Sequence, residues 1–207
     1  MWKLNHSWLT LAARLGMADA AAAAAWTQLV AAYATPPRAY HNLDHIRHCL
    51  AEFANVRDLA QEPDALEAAI WYHDAVYNPR QHDNEARSAE FAVRELAGID
   101  ADVLATVQRL VCATTHGQAA TDADAGIMLD ADLAILGQPR PVFDAYERGI
   151  RNEYAWVPEA LFRERRAEIL RAFLARPSIY HTPAMRERYE AAARANLKRS
   201  LQRLDGG

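Results

Sequence analysis

Three separated pieces of this chain carry residue types that suit a divalent cation. The first is Tyr40-His41-Asn42-Leu43-Asp44-His45, the second is His73-Asp74, and the third is Asp130-Ala131-Asp132. On a helix, His41 and His45 stand four apart and stack on one face, so both imidazoles address the same spot. Imidazole nitrogen and carboxylate oxygen together suit Zn, Fe, Mn, Ni and similar ions, and ligands need not be neighbours in sequence to converge. Taken singly, each residue has a plainer account, because a lone helical histidine usually belongs to a packed core and the His-Asp dipeptide is common. Together they argue for more. Asp74 follows a histidine on an inward stripe, and Asp132 sits between Ala131 and Leu133 in the otherwise apolar run from Ile127 to Leu136. A buried carboxylate is unfavourable unless paired, and a bound cation offsets that penalty.

The elements that must position these groups read as helices. Ser7 is the expected cap of a first helix ending near Gly16, and Asp19 of a second that runs through the alanines to Tyr33. Thr35-Pro36-Pro37 stops it. The histidine-bearing helix is predicted over Ala39 to Asn55. From Asp64, the apolar residues Leu66, Ala69, Ile70, Val76 and Tyr77 fall at helical spacing with His73 on the same stripe, and Asn78-Pro79 ends the segment. Further helices are predicted from Asp83 to Gly98, Asp102 to about Thr115, Asp124 to Leu136, Pro141 to Tyr154, Pro158 to Arg176 and Pro183 to Leu204. Prolines stand at several of these starts, where the missing N–H costs nothing. No run alternates with period two, so the expectation is an all-α fold, one domain over residues 1–207.

Composition narrows the function classes. The 207 residues are 51% hydrophobic and 24% charged, with a formal net charge of −4. That supplies a core and offers no basic footprint, which argues against a nucleic-acid polymer as partner. Cys49 and Cys112 form no CxxC clip and read as buried free thiols, the pattern of a reducing compartment. The alanine run from Ala20 to Ala25 is too short to span a bilayer, and the first residues show no signal-like cleavage flank. The expected setting is cytoplasmic, with no membrane partner and a small concave site.

The order YHNxxH over Tyr40 to His45, HD at His73-Asp74 and ADL at Ala131 to Leu133 resembles the HD-domain superfamily of metal-dependent phosphohydrolases. The first piece is particularly similar to the motif of cyclic-nucleotide phosphodiesterases. The phrases YHNLDHI, WYHDAVY, DNEARSAEF, ATTHG, LDADLAILG, YERGIRNEY and ARANL resemble a bacterial family of predicted HD phosphohydrolases, over a motif-bearing stretch of about residues 38–197. The resemblance implies an HD-type helical bundle in which His45, His73, Asp74 and Asp132 bind metal. In the phosphodiesterase pattern His41 stays off the metal and protonates the leaving oxygen. A simpler HD alignment makes His41 the ligand instead; His45 is preferred because both histidines are present and the second has no other evident task.

Tyr77 stands where the phosphodiesterases have a further histidine, which leaves one or two ions open, chosen from Mn, Zn, Ni, Fe and Mg. Glu85, His116 and Asp130 are candidates to assist catalysis or hold a second ion. Arg80, Arg151, Arg166 and Arg194 are candidate phosphate contacts, since guanidinium matches phosphate oxygens as a fork, and Tyr40 is a candidate pocket wall. The implied activity is hydrolysis of a phosphoester of a nucleotide or other small phosphorylated metabolite. Two alternatives stay open, an HD-type di-iron oxygenase and a module that binds a nucleotide without turning it over.

Overall fold

The computed structural model describes residues 2–115 and 120–206. Among the described residues the chain is helical with no strand. The α-helices are α1 (Trp2–Arg14), α2 (Asp19–Tyr33), α3 (Leu43–Ala54), α4 (Pro63–Tyr72), α5 (Asn84–Glu95), α6 (Ala101–Ala113), α7 (Ala123–Leu133), α8 (Arg140–Glu153), α9 (Glu159–Ala175) and α10 (Pro183–Asp205). Short 3-10 turns follow α3 at Arg57–Leu59 and α7 at Ala134–Gly137. No helix among the described residues is long and apolar enough to cross a membrane.

The centre of the fold is α4. Every residue from Ala65 to Tyr72 is buried, and all are apolar or aromatic except Glu67, whose carboxylate pairs with Arg14 and Arg57. It packs against α1, α3, α5, α6 and α7. Trp8 of α1 meets Trp71 and Tyr72 edge to face, and the Trp8 indole N–H donates to the Ala22 carbonyl of α2. Both ends of α4 are fastened by side chains from elsewhere. At its start, the buried Asp124 of α7 accepts the backbone N–H groups of Gln61 and Glu62. At its end, the Arg38 guanidinium donates to the carbonyls of Asp74 and Ala75.

Asp19 opens α2 as its first residue instead of capping it, and three larger departures from the sequence expectations stand beside this one. Helix α1 begins before Ser7, by Trp2, so Ser7 lies inside it rather than capping it. Helix α3 begins at Leu43 rather than Ala39, because Asn42 caps it by accepting the Asp44 N–H, and the N–H groups of Ala39, Tyr40 and His41 are taken by the Glu153 carboxylate. His41 therefore stands outside the helix that carries His45, and the two do not form a stacked helical pair. Helix α4 ends at Tyr72, not near Asn78. Beyond it the Asp74 and Ala75 carbonyls are held by Arg38, the Val76 N–H by Ser88 Oγ and the Asn78 N–H by Asn84 Oδ1, so no helical bond is needed.

The junction of the α7 end with α10 is closed by a glycine. A Cβ on Gly137 would stand 2.5 Å from Tyr189 Cβ, where neither backbone can yield without a shift. Gly137→Ala should destabilise the protein by about 1–3 kcal/mol in urea unfolding. Unchanged stability would show that this junction is looser than the structure has it.

Candidate metal centre and its cavity

Three helices that pack on one another deliver the site. Helix α3 places His45 and Cys49 on one face a turn apart, the turn after α4 places His73 and Asp74, and the end of α7 places Asp132. His45 Nε2 lies 3.1 Å from His73 Nε2, 3.2 Å from Asp132 Oδ1 and 3.4 Å from Asp74 Oδ2. His73 Nε2 lies 3.3 Å from Asp74 Oδ2 and 3.7 Å from Asp132 Oδ1. Donors bound at about 2.0–2.3 Å around a tetrahedral ion stand roughly 3.3–3.8 Å apart, so the spacing of these atoms is that of a coordination shell. One ligand atom from each of His45, Cys49, His73 and Asp132 lies within 4.8 Å of the others.

The tautomer of His73 is fixed. Its Nδ1 is 2.9 Å from the Ile70 carbonyl, which only accepts, so Nδ1 carries the proton and Nε2 turns to the cluster. A backbone carbonyl behind the imidazole is the usual support of a metal-binding histidine. Cys49 Sγ is nearly equidistant from the two nitrogens of His45, at 3.6 and 3.7 Å, beside the ring rather than in line with either nitrogen. A further polar group lacks a partner here. The Tyr40 hydroxyl is shielded from solvent without a hydrogen bond, a loss of roughly 1–3 kcal/mol unless something fills the space before it. The donor set, its spacing and this orphaned hydroxyl all fit a divalent cation.

Electrostatics bind the cluster together. For His45, burial opposes the charged form, but Cys49, Tyr40, Asp132 and Asp74 outweigh it and hold its pKa well above the usual histidine range. Burial likewise opposes charge on His73, and Asp74 with Asp132 raises its pKa. The carboxylates respond in kind: despite burial, His73 and its neighbours keep Asp74 well below the ordinary range, and His45 and His73 do the same to Asp132. The imidazoles and carboxylates thus favour one another's charged forms.

His41 is held apart from this group. Its Nδ1 is 2.6 Å from Glu153 Oε2, and its ring stacks on Tyr77, whose hydroxyl donates to the same oxygen at 3.0 Å. Glu153 Oε1 accepts three backbone N–H groups, from Ala39, Tyr40 and His41, at 2.7–2.9 Å. Burial works against the charged carboxylate, but His41 and these N–H groups lower its pKa. Arg38 ties the same loop to the His73-Asp74 turn by donating to the carbonyls of both His41 and Asp74. Gly149 lets α8 come this close, since a Cβ there would stand 3.0 Å from Tyr40 Cβ.

A cavity of about 600 Å³ opens onto the cluster. His41, His73, Asp74, Asp132 and Tyr40 line it, while His45 and Cys49 lie behind. Glu85 and Arg166 also line it; Arg166 is engaged by Glu147 and the Tyr146 hydroxyl. Of the other described candidates, three are engaged away from the cluster and one stands at the cavity edge. Asp130 accepts the N–H groups of His181 and Thr182 and the Thr182 hydroxyl, fastening the start of α10. Arg194 pairs with Glu190 and donates to the carbonyls of Leu174, Arg176 and Pro177. Arg151 pairs with Glu159 and donates to the Tyr154 and Val157 carbonyls, and Arg80 stacks on Trp156 at the cavity rim. His116 lies outside the described residues.

Sequence reading passed over Glu153 and Arg38, and it gave Cys49 no part in the site. Glu153 had a signal, since it falls on the buried face of α8 with Phe143, Gly149 and Ile150, where a carboxylate needs a reason. Cys49 also had one, four residues after His45 on the same face. No family model, no curated protein and no solved structure matches this chain.

Because the metal-free imidazoles hold protons above the usual range, loading the site must displace them. Zn²⁺ or Mn²⁺ added to the protein in weak buffer near neutral pH should release protons, and the apparent affinity should climb as pH rises through and beyond the usual histidine range. Calorimetry in buffers of different ionisation enthalpy measures the count. Tight binding without proton release would mean that the ion sits elsewhere.

Proposed function

We propose that this chain is a divalent-metal-dependent phosphohydrolase of the HD type, acting on a phosphoester of a nucleotide or other small phosphorylated metabolite. The observation that carries this reading is one cavity wall that presents both a His/Asp cluster and a separate histidine backed by a buried carboxylate. His45, His73, Asp74 and Asp132 would hold the ion, with the Cys49 sulfur close enough to join them. A divalent ion held there would supply a water of lowered pKa and charge to offset the phosphoryl oxygens.

The chain's own residues account for the rest. As the oxygen of water bonds to phosphorus, the bond from phosphorus to the leaving oxygen breaks, and that oxygen needs a proton. His41 is the donor on this wall. Glu153 fixes its Nδ1–H, which leaves Nε2 for the proton that is transferred, and stabilises the imidazolium before transfer. The proton given up by water passes to solvent and later restores His41, so the cycle closes. Tyr77, stacked on the ring, limits its rotation. Of the other sequence candidates, Glu85 and Arg166 line the same cavity.

The two histidines of the first motif should separate in experiment. His45→Ala should lose metal and activity together. His41→Ala should keep its metal and much of its substrate affinity while turnover falls by roughly 10²–10⁴-fold, and the defect should shrink for a nitrophenyl ester, whose leaving oxygen needs little protonation. Metal content and turnover of both variants on an alkyl and a nitrophenyl ester decide it. Metal lost from His41→Ala but kept by His45→Ala would reverse the roles.

A further inference from the structure

The cavity extends well past the cluster, and its far wall is of a different character. It is built by the end of α8, the 154–158 turn and one face of α9, and it is largely aromatic and aliphatic. Trp156, Leu161 and Ile169 line it while remaining 47%, 43% and 48% exposed, so apolar surface is gathered at the mouth of the cavity. Phe162 and Phe173 continue the wall inward. A phosphate at the cluster would fill only a small part of about 600 Å³, a volume in the range of drug-sized ligand pockets.

The charges of the cavity set a second limit. Among the described lining residues the arginines are Arg165 and Arg166, and each already has a carboxylate partner, Glu168 and Glu147. Asp74, Asp132 and Glu85 are lining acids. Arg80 at the rim is laid over the Trp156 ring, where it flanks the apolar wall. A divalent ion at the cluster can balance one phosphate group, and beyond it Arg166 is already held by Glu147, so a chain of phosphates running along the Trp156, Leu161 and Ile169 wall would meet mainly apolar side chains.

Resting on the phosphohydrolase reading of the site, we propose that the substrate is an ester of a single phosphate group with an apolar body, aliphatic or aromatic, lodged against Trp156, Leu161 and Ile169. Polyphosphate nucleotides and small polar phosphate esters are poor substrates.

The test uses the full chain loaded with Mn²⁺ and compares butyl with octyl phosphate, whose leaving oxygens are equally basic, so only the apolar body differs. Octyl phosphate should show at least a tenfold higher kcat/KM than butyl phosphate and should bind at least tenfold more tightly by calorimetry. ATP should fall below both. In the double variant Leu161→Asp with Ile169→Asp the octyl-to-butyl ratio should collapse toward one; metal content and helical circular dichroism report whether that variant is folded. The single variant Ile169→Asp, at an exposed position, gives a partial collapse if the double variant is not. Turnover with no dependence on chain length, or with ATP preferred, overturns the proposal while leaving the hydrolase reading intact. Chain-length-dependent binding without turnover of any ester supports the apolar wall and overturns the hydrolase reading.

Discussion

The structure depends on keeping two imidazoles and two carboxylates close together out of bulk water where α3, α4 and α7 meet. Each charge alone would be strongly unfavourable there, and each is tolerated only because the others stand within about one hydrogen-bond length. The packing is arranged to fix those distances. Helix α4 is buried on all sides, held at its start by Asp124 and at its end by Arg38, so the turn carrying His73 and Asp74 has little freedom to drift. Three helices that share one core thus convert apolar burial into positional precision for polar atoms.

A second set of restraints surrounds the first and serves a different group. Glu153 gathers three backbone N–H groups, one imidazole and one phenol, which determines where the 39–42 loop lies and which nitrogen of His41 is left free. Arg38 then binds that loop to the His73-Asp74 turn. The two histidines of one short motif therefore answer to different neighbours, His45 to the cluster and His41 to α8. That separation is the structural basis for assigning them different work. The same use of carboxylates recurs elsewhere, with the buried Asp130 and the half-buried Glu190 gathering backbone N–H groups before α10.

Much of this was legible from residue spacing. Helical periodicity and the absence of alternation gave the all-α class, and the proline and capping signals placed most helices to within a few residues. The convergence of His45, His73, Asp74 and Asp132 was anticipated from their types and from a resemblance in motif order. What spacing did not reveal was where the backbone leaves the helix. Residues 39–42 and 73–77 keep helical periodicity, but in the first the N–H groups of Ala39, Tyr40 and His41 are taken by Glu153, and the second gives the Asp74 carbonyl to Arg38 and the Val76 N–H to Ser88, side chains well beyond a helical turn in sequence. Local propensity has no access to such partners. Asp130 shows the converse: its neighbourhood to Asp132 pointed to the site, but two residues along a helix face nearly opposite ways, and its carboxylate serves α10.

The most direct measurement is anomalous diffraction from crystals loaded with Zn²⁺ or Mn²⁺ and recorded at the edge of the metal. The account predicts a strong peak about 2.0–2.3 Å from His45 Nε2, His73 Nε2 and an oxygen of Asp132, with His41 outside that shell. A peak that includes His41 and leaves out His45, or a fully loaded protein with no peak between these side chains, would contradict it.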